Sequence, residues 1–335
     1  MKTNDSFFLI ITGPTGVGKT ALVHKLVQKL NFKAEIINAD IGQFYEFLSI
    51  GTAKHDTRQE QVPHHLFNKF SQPINYTAYQ YRQEVLGLVE KITQAGNLPI
   101  VVGGSGFYIK SLFFPPKLSE LRNSNFSSVL GEKFIFDLEK YTNNQLWDKL
   151  SKLDPVRAQQ IHPNDRYRLA RALFLMSQSD KKASSYKPEF NCPGRCGIIF
   201  LSRERQELYN IINDRVEHMF KEGWIDEVIN LKNLPGNWFE FLRQKKVIGY
   251  SEIINFITAP NEMNLEELKS NISQKTRAYA KRQLTFWRSF KEQLFDNDFE
   301  RKCIKFCYEL NLTLLDLDLY IDLIANNCIE SQKAS

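Results

Sequence analysis

No apolar run in the 335-residue sequence approaches the ~20 residues needed to cross a bilayer. A membrane-spanning chain is therefore not expected. The opening stretch, MKTNDSFFLIITG, lacks a signal-peptide layout, because its short apolar run leads straight into a glycine turn. A cytoplasmic location is the expectation. Cysteine is scarce and odd in number, five in all, which argues against a disulfide framework. Two pairs, Cys192/Cys196 and Cys303/Cys307, have CxxxC spacing, but no histidine neighbours either of them. A zinc site needs four ligands brought together, so ordinary free thiols are expected. Internal repeats and low-complexity tracts are missing as well. The formal charge of +6 is only mildly basic. Its distribution, not its sum, must speak for or against a nucleic-acid partner.

The chain is too long for one minimal domain and suits a core with an insert. FFLIIT (7–12) reads as a buried strand, and residues 19–30 have helical periodicity. AEIINAD (34–40) is a second buried strand, 77–95 a second helix, and LPIVVGGSG (98–106) a third strand ending in a glycine turn. Strands alternating with helices predict a parallel sheet with right-handed crossovers. Ligands bind beyond the carboxyl ends of such strands. Those ends carry TGPTGVGKT, Asp40 and Gly103-Gly104-Ser105-Gly106, so all three should face one cleft. From about 116 to 192 the pattern is helical, reading as an insert. CGIIFLS (196–202) returns to a strand and long amphipathic helices follow. Residues after 295 have no clear reading.

Between the first strand and first helix, Gly13-x-x-x-x-Gly18-Lys19-Thr20 has phosphate-loop spacing. Gly13, Pro14, Thr15, Gly16, Val17 and Gly18 would turn backbone N–H groups onto phosphate oxygens at a helix N-terminus. Lys19 adds a point charge, and the Thr20 hydroxyl would ligate Mg²⁺. Phosphoryl-transferring P-loop enzymes also carry a metal-holding acid at a strand end. LPIVV ends in Gly-Gly instead, and only Asp40 closes a strand with an acid. Asp40 is thus a candidate metal organiser or general base. His64 and His65 are expected to be hydrogen-bonding residues.

Three segments are basic: DRYRLAR (165–171), RQKKVIGY (243–250) and KSNISQKTRAYAKRQLTFWRSFK (269–291). The last has seven Lys/Arg and no acid, with aromatic residues interleaved. An acid-free run of that length favours a polyanion partner.

The blocks GPTGVGKT, INAD, IGTAKH, VPHHL, GGSGFY, IHPNDRYRLARAL, RVEHMFKEGWIDEV, VIGYSEI and TRAYAKRQLTFWR stand in this order over about 280 residues. Together they resemble the tRNA dimethylallyltransferases, also called tRNA isopentenyltransferases, of bacterial type. The resemblance implies a P-loop NTPase-like α/β core over 1–115 and 193–295, a helical insert over 116–192 that contacts tRNA, and a tail, 296–335, without assigned role. It implies transfer of a dimethylallyl group from dimethylallyl diphosphate to N6 of the adenosine 3′ of the anticodon. Diphosphate leaves, so the P-loop would hold a departing group. Asp40 matches the base, Arg215 the arginine beside the diphosphate, and Ser105 replaces the family threonine. The anticodon arm would meet Ile41, Gly42 and Gln43, then Tyr167, Arg168, Leu169, Ala170 and Arg171. Further contacts would come from Lys246, Val247, Ile248, Gly249, Tyr250 and Ser251, and from Lys281, Arg282, Gln283 and Arg288. A monomer is expected.

Two departures stand out. Where the family has Asp-Ser-Arg, this sequence has Asp40-Ile41-Gly42, losing a hydroxyl and a cation beside the target nucleotide. No histidine-bearing zinc module follows the core, unlike in eukaryotic members. The alternatives are an adenylate isopentenyltransferase, which would not need the basic runs, a P-loop small-molecule kinase, and an inactive tRNA binder.

Overall fold

The computed structural model describes residues 6–30, 33–55, 62–115, 138, 140–177, 181–186, 188–260, 263–296 and 303–333. They form two compact units, Met1–Phe113 with Asn191–Ser335, and Phe114–Phe190.

In the first unit, β1 (Phe7–Thr12) is buried along its whole length. A strand covered on both faces needs a continuous apolar run, and FFLIIT supplies one. The P-loop leads into α1 (Lys19–Lys29), which turns Leu22, Val23 and Leu26 inward. Then come β2 (Ala34–Asn38) and the two-residue β3 (His64–His65). A capping box made by Thr77 and Gln80 starts α2 (Ala78–Gln94), satisfying N–H groups the helix itself cannot. β4 (Leu98–Gly103) and α3 (Gly106–Phe113) complete this half.

The second unit is helical: α4 (Asn143–Leu153), α5 (Pro155–Gln159) and α6 (Arg166–Ser177). Its core gathers Leu146, Leu150, Ile161, Leu169 and Leu173.

The chain returns to the first unit in β5 (Arg195–Ser202). Four helices follow, α7 (Arg205–Lys221), α8 (Trp224–Asn230), α9 (Trp238–Lys245) and α10 (Tyr250–Thr258). The 31-residue α11 (Leu265–Phe295) starts from a capping box of Asn264 and Glu267.

The sheet runs β3-β2-β4-β1-β5-β6, and every pairing is parallel. Thr12 lies opposite Gly103, and Asn38 opposite Val102. The segments after β1, β2 and β4 therefore leave from one edge. Gly103 is needed there, because a Cβ would stand 2.2 Å from the Ala39 backbone.

The segment without a sequence reading is part of the core. Ile304–Asn311 forms β6 beside β5, and α12 (Leu317–Lys333) packs on α1. Leu310, Ile321 and Ile324 are at most 2 % exposed, in one cluster with β1 and α1.

Burying each such side chain contributes roughly 1.5–3 kcal/mol, against a total stability of about 5–15 kcal/mol for a domain. A chain ending at Asp296 should therefore fail to fold cooperatively. Thermal unfolding followed by circular dichroism checks this; a truncated chain that melts like the intact one would contradict the assignment.

Candidate functional site

The P-loop supplies the floor of the site. Gly13, Gly16 and Gly18 have positive φ, the region glycine adopts without steric cost, and this curls the loop. The Lys19 ammonium bonds the carbonyl oxygens of Gly13 and Pro14 at 3.1 and 3.0 Å. Two helices hold the loop from outside. From α7, Arg215 donates to the Thr15 hydroxyl at 3.2 Å. From α11, the Gln283 side-chain oxygen accepts the Thr15 N–H at 2.9 Å, while its amide group donates to Gly104 at 2.7 Å. Gln283 thus ties the P-loop to the turn after β4. Arg203, after β5, donates to the Val17 carbonyl at 3.0 Å.

Asp40 follows β2 and caps a 3-10 turn over Ile41–Phe44. Burial raises its carboxyl above the usual value; Lys19, Arg215 and the N–H groups of Gly42 and Gly104 pull the other way. Burial lowers Lys19 to about 8, opposed by Asp40 and reinforced by Arg215. Arg215 is lowered by burial and partly restored by Asp40. Two cations and one carboxylate therefore share an enclosed space with excess positive charge, an arrangement suited to an anion.

Ser105 sits beside them. Its hydroxyl oxygen accepts the Ile41 N–H at 2.9 Å, and its N–H bonds Ala39 O at 3.1 Å. Tyr279, from α11, lies near Ser105 and Asp40; burial raises its phenol. Ser105 so links the turn after β4 to the turn carrying the carboxylate.

Above Asp40, Thr15 and Arg215 opens a cavity of ≈ 390 Å³ with an apolar wall of Ile41, Tyr45, Leu48, Ile212, Val216, Met219, Trp224, Phe241, Val247, Ile248 and Tyr279. Lys245, Lys246 and Arg282 also line it. Trp224 fits only because Gly51 and Gly249 carry no side chain; a Cβ on either would stand about 2 Å from its ring (2.1 and 1.9 Å). Glu227 fixes this corner, accepting N–H groups of Ser49 and Ile50 at 2.9 and 2.7 Å and the Tyr250 hydroxyl at 2.7 Å. On the other side of Asp40 lies a cavity of ≈ 50 Å³ lined by Thr20, Gln43, His24, His55 and His64. His65 bonds Glu35 at 2.6 Å, and His64 bonds Val62 O at 2.6 Å, the hydrogen-bonding use expected of them.

The structure brings Asp40, Ser105, Arg215, Lys19 and the P-loop together. It separates the residues expected to meet tRNA into two kinds. Lys246, Val247 and Ile248 line the large cavity, as do Ile41 and Gly42. Lys281 and Arg282 line an open groove beside it, and Arg288 is exposed. Within the helical unit Tyr167 and Arg168 are exposed. Leu169, Tyr250 and Gln283, in contrast, are at most 6 % exposed. Leu169 packs the core of its unit, Tyr250 is tied to Glu227 and Gln283 to the P-loop. Their side chains are structural, which corrects that expectation. Gly249 is buried too, with its N–H on Glu252 at 2.6 Å, and Ser251 bonds Leu242 O.

The acid-free run also divides. Lys269 pairs with Glu217 and Glu266, Lys275 with Glu252 and Lys291 with Glu309, while Arg277 bonds Asn213 at 2.5 Å and covers the Tyr209 ring. Lys281, Arg282 and Arg288 are exposed and make no ion pair among the described residues. Counting charges along the sequence overstated the available patch. Tyr279, Trp224 and Glu227 went unassigned there, although Tyr279 was visible as an aromatic inside the basic run.

A sequence model described as IPP transferase matches residues 43–290. A curated relative, the tRNA dimethylallyltransferase of Alkaliphilus metalliredigens, is 37% identical over 288 residues, 85% of this chain and 89% of that protein. The tRNA dimethylallyltransferase of Thermosipho melanesiensis is 37% identical over 297 residues, 87% and 93%. Among solved structures, the tRNA isopentenylpyrophosphate transferase of Bacillus halodurans is similar with a TM-score of 0.63 and 29% identity over 99% of both chains. A eukaryotic dimethylallyltransferase acting on tRNA is similar with a TM-score of 0.71 and 27% identity, over 97% of this chain and 78% of the other.

Replacing Gln283 by leucine leaves the buried Gly104 carbonyl without its partner, at about 1–3 kcal/mol, and frees the part-buried Thr15 N–H. Gln283→Leu should weaken pyrophosphate binding by roughly tenfold or more, about 1.4 kcal/mol. Calorimetric titration with magnesium pyrophosphate measures it; unchanged affinity would mean that Gln283 does not shape the loop.

Proposed function

This chain belongs to the IPP transferase family, and on that premise we propose that it is a tRNA dimethylallyltransferase, moving a dimethylallyl group from dimethylallyl diphosphate to N6 of the adenosine 3′ of the anticodon. The observation that carries the reading is the place of Asp40, where an anion-holding loop meets an apolar cavity large enough for a base and a short prenyl chain.

The diphosphate lies in the P-loop, its charge met by N–H groups, Lys19 and Arg215. As the allylic C–O bond breaks, negative charge grows on the leaving oxygen, and donors already in place stabilise it without reorganising. The apolar wall receives the prenyl chain and keeps water from the allylic cation. Thr20 is exposed and lines the small cavity beside Asp40. A hydroxyl oxygen suits a hard cation, so Thr20 would hold Mg²⁺, which would offset diphosphate charge. Adenine N6 is a poor nucleophile because its lone pair is delocalised into the ring. Asp40 accepts the N6 proton as the new C–N bond forms. Ser105, bonded by the Ile41 N–H, keeps the Asp40 turn in register with the loop after β4.

To reach Asp40 the adenosine leaves its stack and enters the cavity. Lys246 and Arg282 flank its lining, and Lys281 and Arg288 extend the positive surface along α11. The helical unit adds exposed Tyr167 and Arg168. We place the reaction on a monomer in the cytoplasm.

Labelled dimethylallyl diphosphate should transfer to an unmodified anticodon stem-loop and to neither AMP nor a stem-loop lacking the target adenosine. Label on AMP would move the reading to an adenylate isopentenyltransferase. Because the base acts ionised and its carboxyl is raised, kcat/KM should fall with acid around a midpoint above the ordinary aspartate value of about 4. Asp40→Asn should cost roughly 10²–10⁴ in kcat and remove that acid limb. An unaltered pH profile in the variant would rule Asp40 out as the base. Removing the charges of Lys281 and Arg288 should weaken stem-loop binding and lower the magnitude of its salt slope by about one per residue. An unchanged slope would make that surface merely solvated.

A further inference from the structure

α3 begins directly after Ser105, so its first turn stands beside the site. That turn leaves an aromatic ring in solvent. Phe107 is 59 % exposed, although Tyr108, Ile109, Leu112 and Phe113 of the same helix are buried. α3 packs on α11. Gly106 approaches the Phe286 ring so closely that a Cβ would stand 2.5 Å from it, and one turn later Lys110 donates to the Gln293 side-chain oxygen. Phe286 is steadied by the buried rings of Trp287 and Phe290, with ring centres 6.1 and 6.2 Å away. It also lines an open groove of ≈ 540 Å³ with Ala278, Lys281, Arg282 and Thr285. Arg282 lines the large cavity as well, so groove and cavity adjoin.

A single exposed apolar side chain is ordinary on a protein surface. Phe107 is set apart by its neighbours, an aromatic groove floor on the next helix and two exposed cations, Lys281 and Arg282, without an ion pair among the described residues. We propose that Phe107 and the groove floored by Phe286 form a stacking subsite for an unpaired RNA base, the nucleotide next to the adenosine that enters the cavity. The subsite rests on the tRNA reading above and adds binding residues to it.

The physical reason lies in base flipping. Extruding the target adenosine removes a stacking partner from its neighbour, and unstacking costs free energy. An aromatic side chain offers a replacement π-face that suits any base, while cations beside it meet the backbone phosphates. The strand that delivers the adenosine passes the groove, because the groove shares Arg282 with the cavity. Phe107 stays exposed in the free protein for the same reason that a stacking ring must: its face has to be open to the incoming base.

The test uses the full-length protein and an anticodon stem-loop with 2-aminopurine, a fluorescent base quenched by stacking, placed in turn on either side of the target adenosine. Binding should quench the label at one of the two positions. Phe107→Ala should restore emission there and weaken stem-loop affinity roughly fivefold or more, the lower end of what one stacked base contributes. The salt slope of binding should not change, because no charge is removed. Phe107→Trp should keep both quenching and affinity. Both variants should melt like the unmodified protein, since the side chain is exposed. Emission that ignores Phe107→Ala at both positions, or equal weakening by alanine and tryptophan, would overturn the subsite and leave the transferase reading standing, because transfer of labelled dimethylallyl diphosphate is measured separately. A stem-loop that the unmodified protein does not bind would overturn both.

Discussion

One buried carboxylate within electrostatic reach of two buried cations governs the arrangement of this protein. Asp40, Lys19 and Arg215 come from a strand end, a helix start and the middle of a later helix. None can be desolvated cheaply alone. Together they are tolerated because each lies within electrostatic reach of an opposite charge and the two cations bond to oxygens of the P-loop, and the surplus positive charge suits an anion. In the proposed reaction the incoming diphosphate supplies it. Its negative charge beside Asp40 also raises that carboxylate's affinity for a proton. The leaving group thus strengthens the base while it is bound, and its departure releases the proton.

The rest of the fold serves to hold that trio in place. Parallel pairing sends the P-loop, the Asp40 turn and the Gly104–Ser105 turn out of one edge, but side chains lock their register. Gln283 joins the first to the third and Ser105 joins the second to the third. Arg215 joins the P-loop to α7. Glu227 does the same for the cavity wall, binding the loop that follows the Asp40 turn to α8 and α10. Most of these links come from helices far along the chain, so the site forms only when the later half has folded over the first.

That distance explains what could be read from the sequence. The P-loop, the buried strands and Asp40 announce themselves within ten residues, because their signals are a glycine spacing, an apolar run and a terminal acid. The Thr15–Gln283 bond has no local signature, and a glutamine inside a basic run looked like one more RNA contact. The same run held seven cations, and only the fold shows that Lys269, Lys275, Arg277 and Lys291 are engaged within the protein. The C-terminal segment was opaque for another reason. β6 is an edge strand, and of its eight residues only Leu310 is buried, so it lacks the continuous apolar pattern that exposed β1 and β4. In α12, acids alternate with leucines at its start, which blurs the helical period although its inner face is covered.

The substitution at residues 41 and 42 can be understood in the same terms. The Ile41 N–H is held by Ser105, so the backbone of the 3-10 turn has little freedom to shift. Gly42 faces Thr52 across a gap that a Cβ would reduce to 2.6 Å from the Thr52 methyl. Thr52 is itself fixed, its hydroxyl bonding Leu48 O at 2.6 Å. An arginine at 42 would require this turn or the 48–52 loop to move, and Glu227 restrains that loop. Glycine is therefore the residue compatible with the geometry found here, and the missing cation is a consequence of packing. Lys245, Lys246 and Arg282 already line the same cavity, so positive charge at its wall does not depend on residue 42. Ile41 extends the apolar wall next to Asp40, and a drier wall raises the proton affinity of that carboxylate. In the proposed reaction the departure would thus favour the base while removing a side-chain contact to the nucleotide, and the two effects would act on different steps.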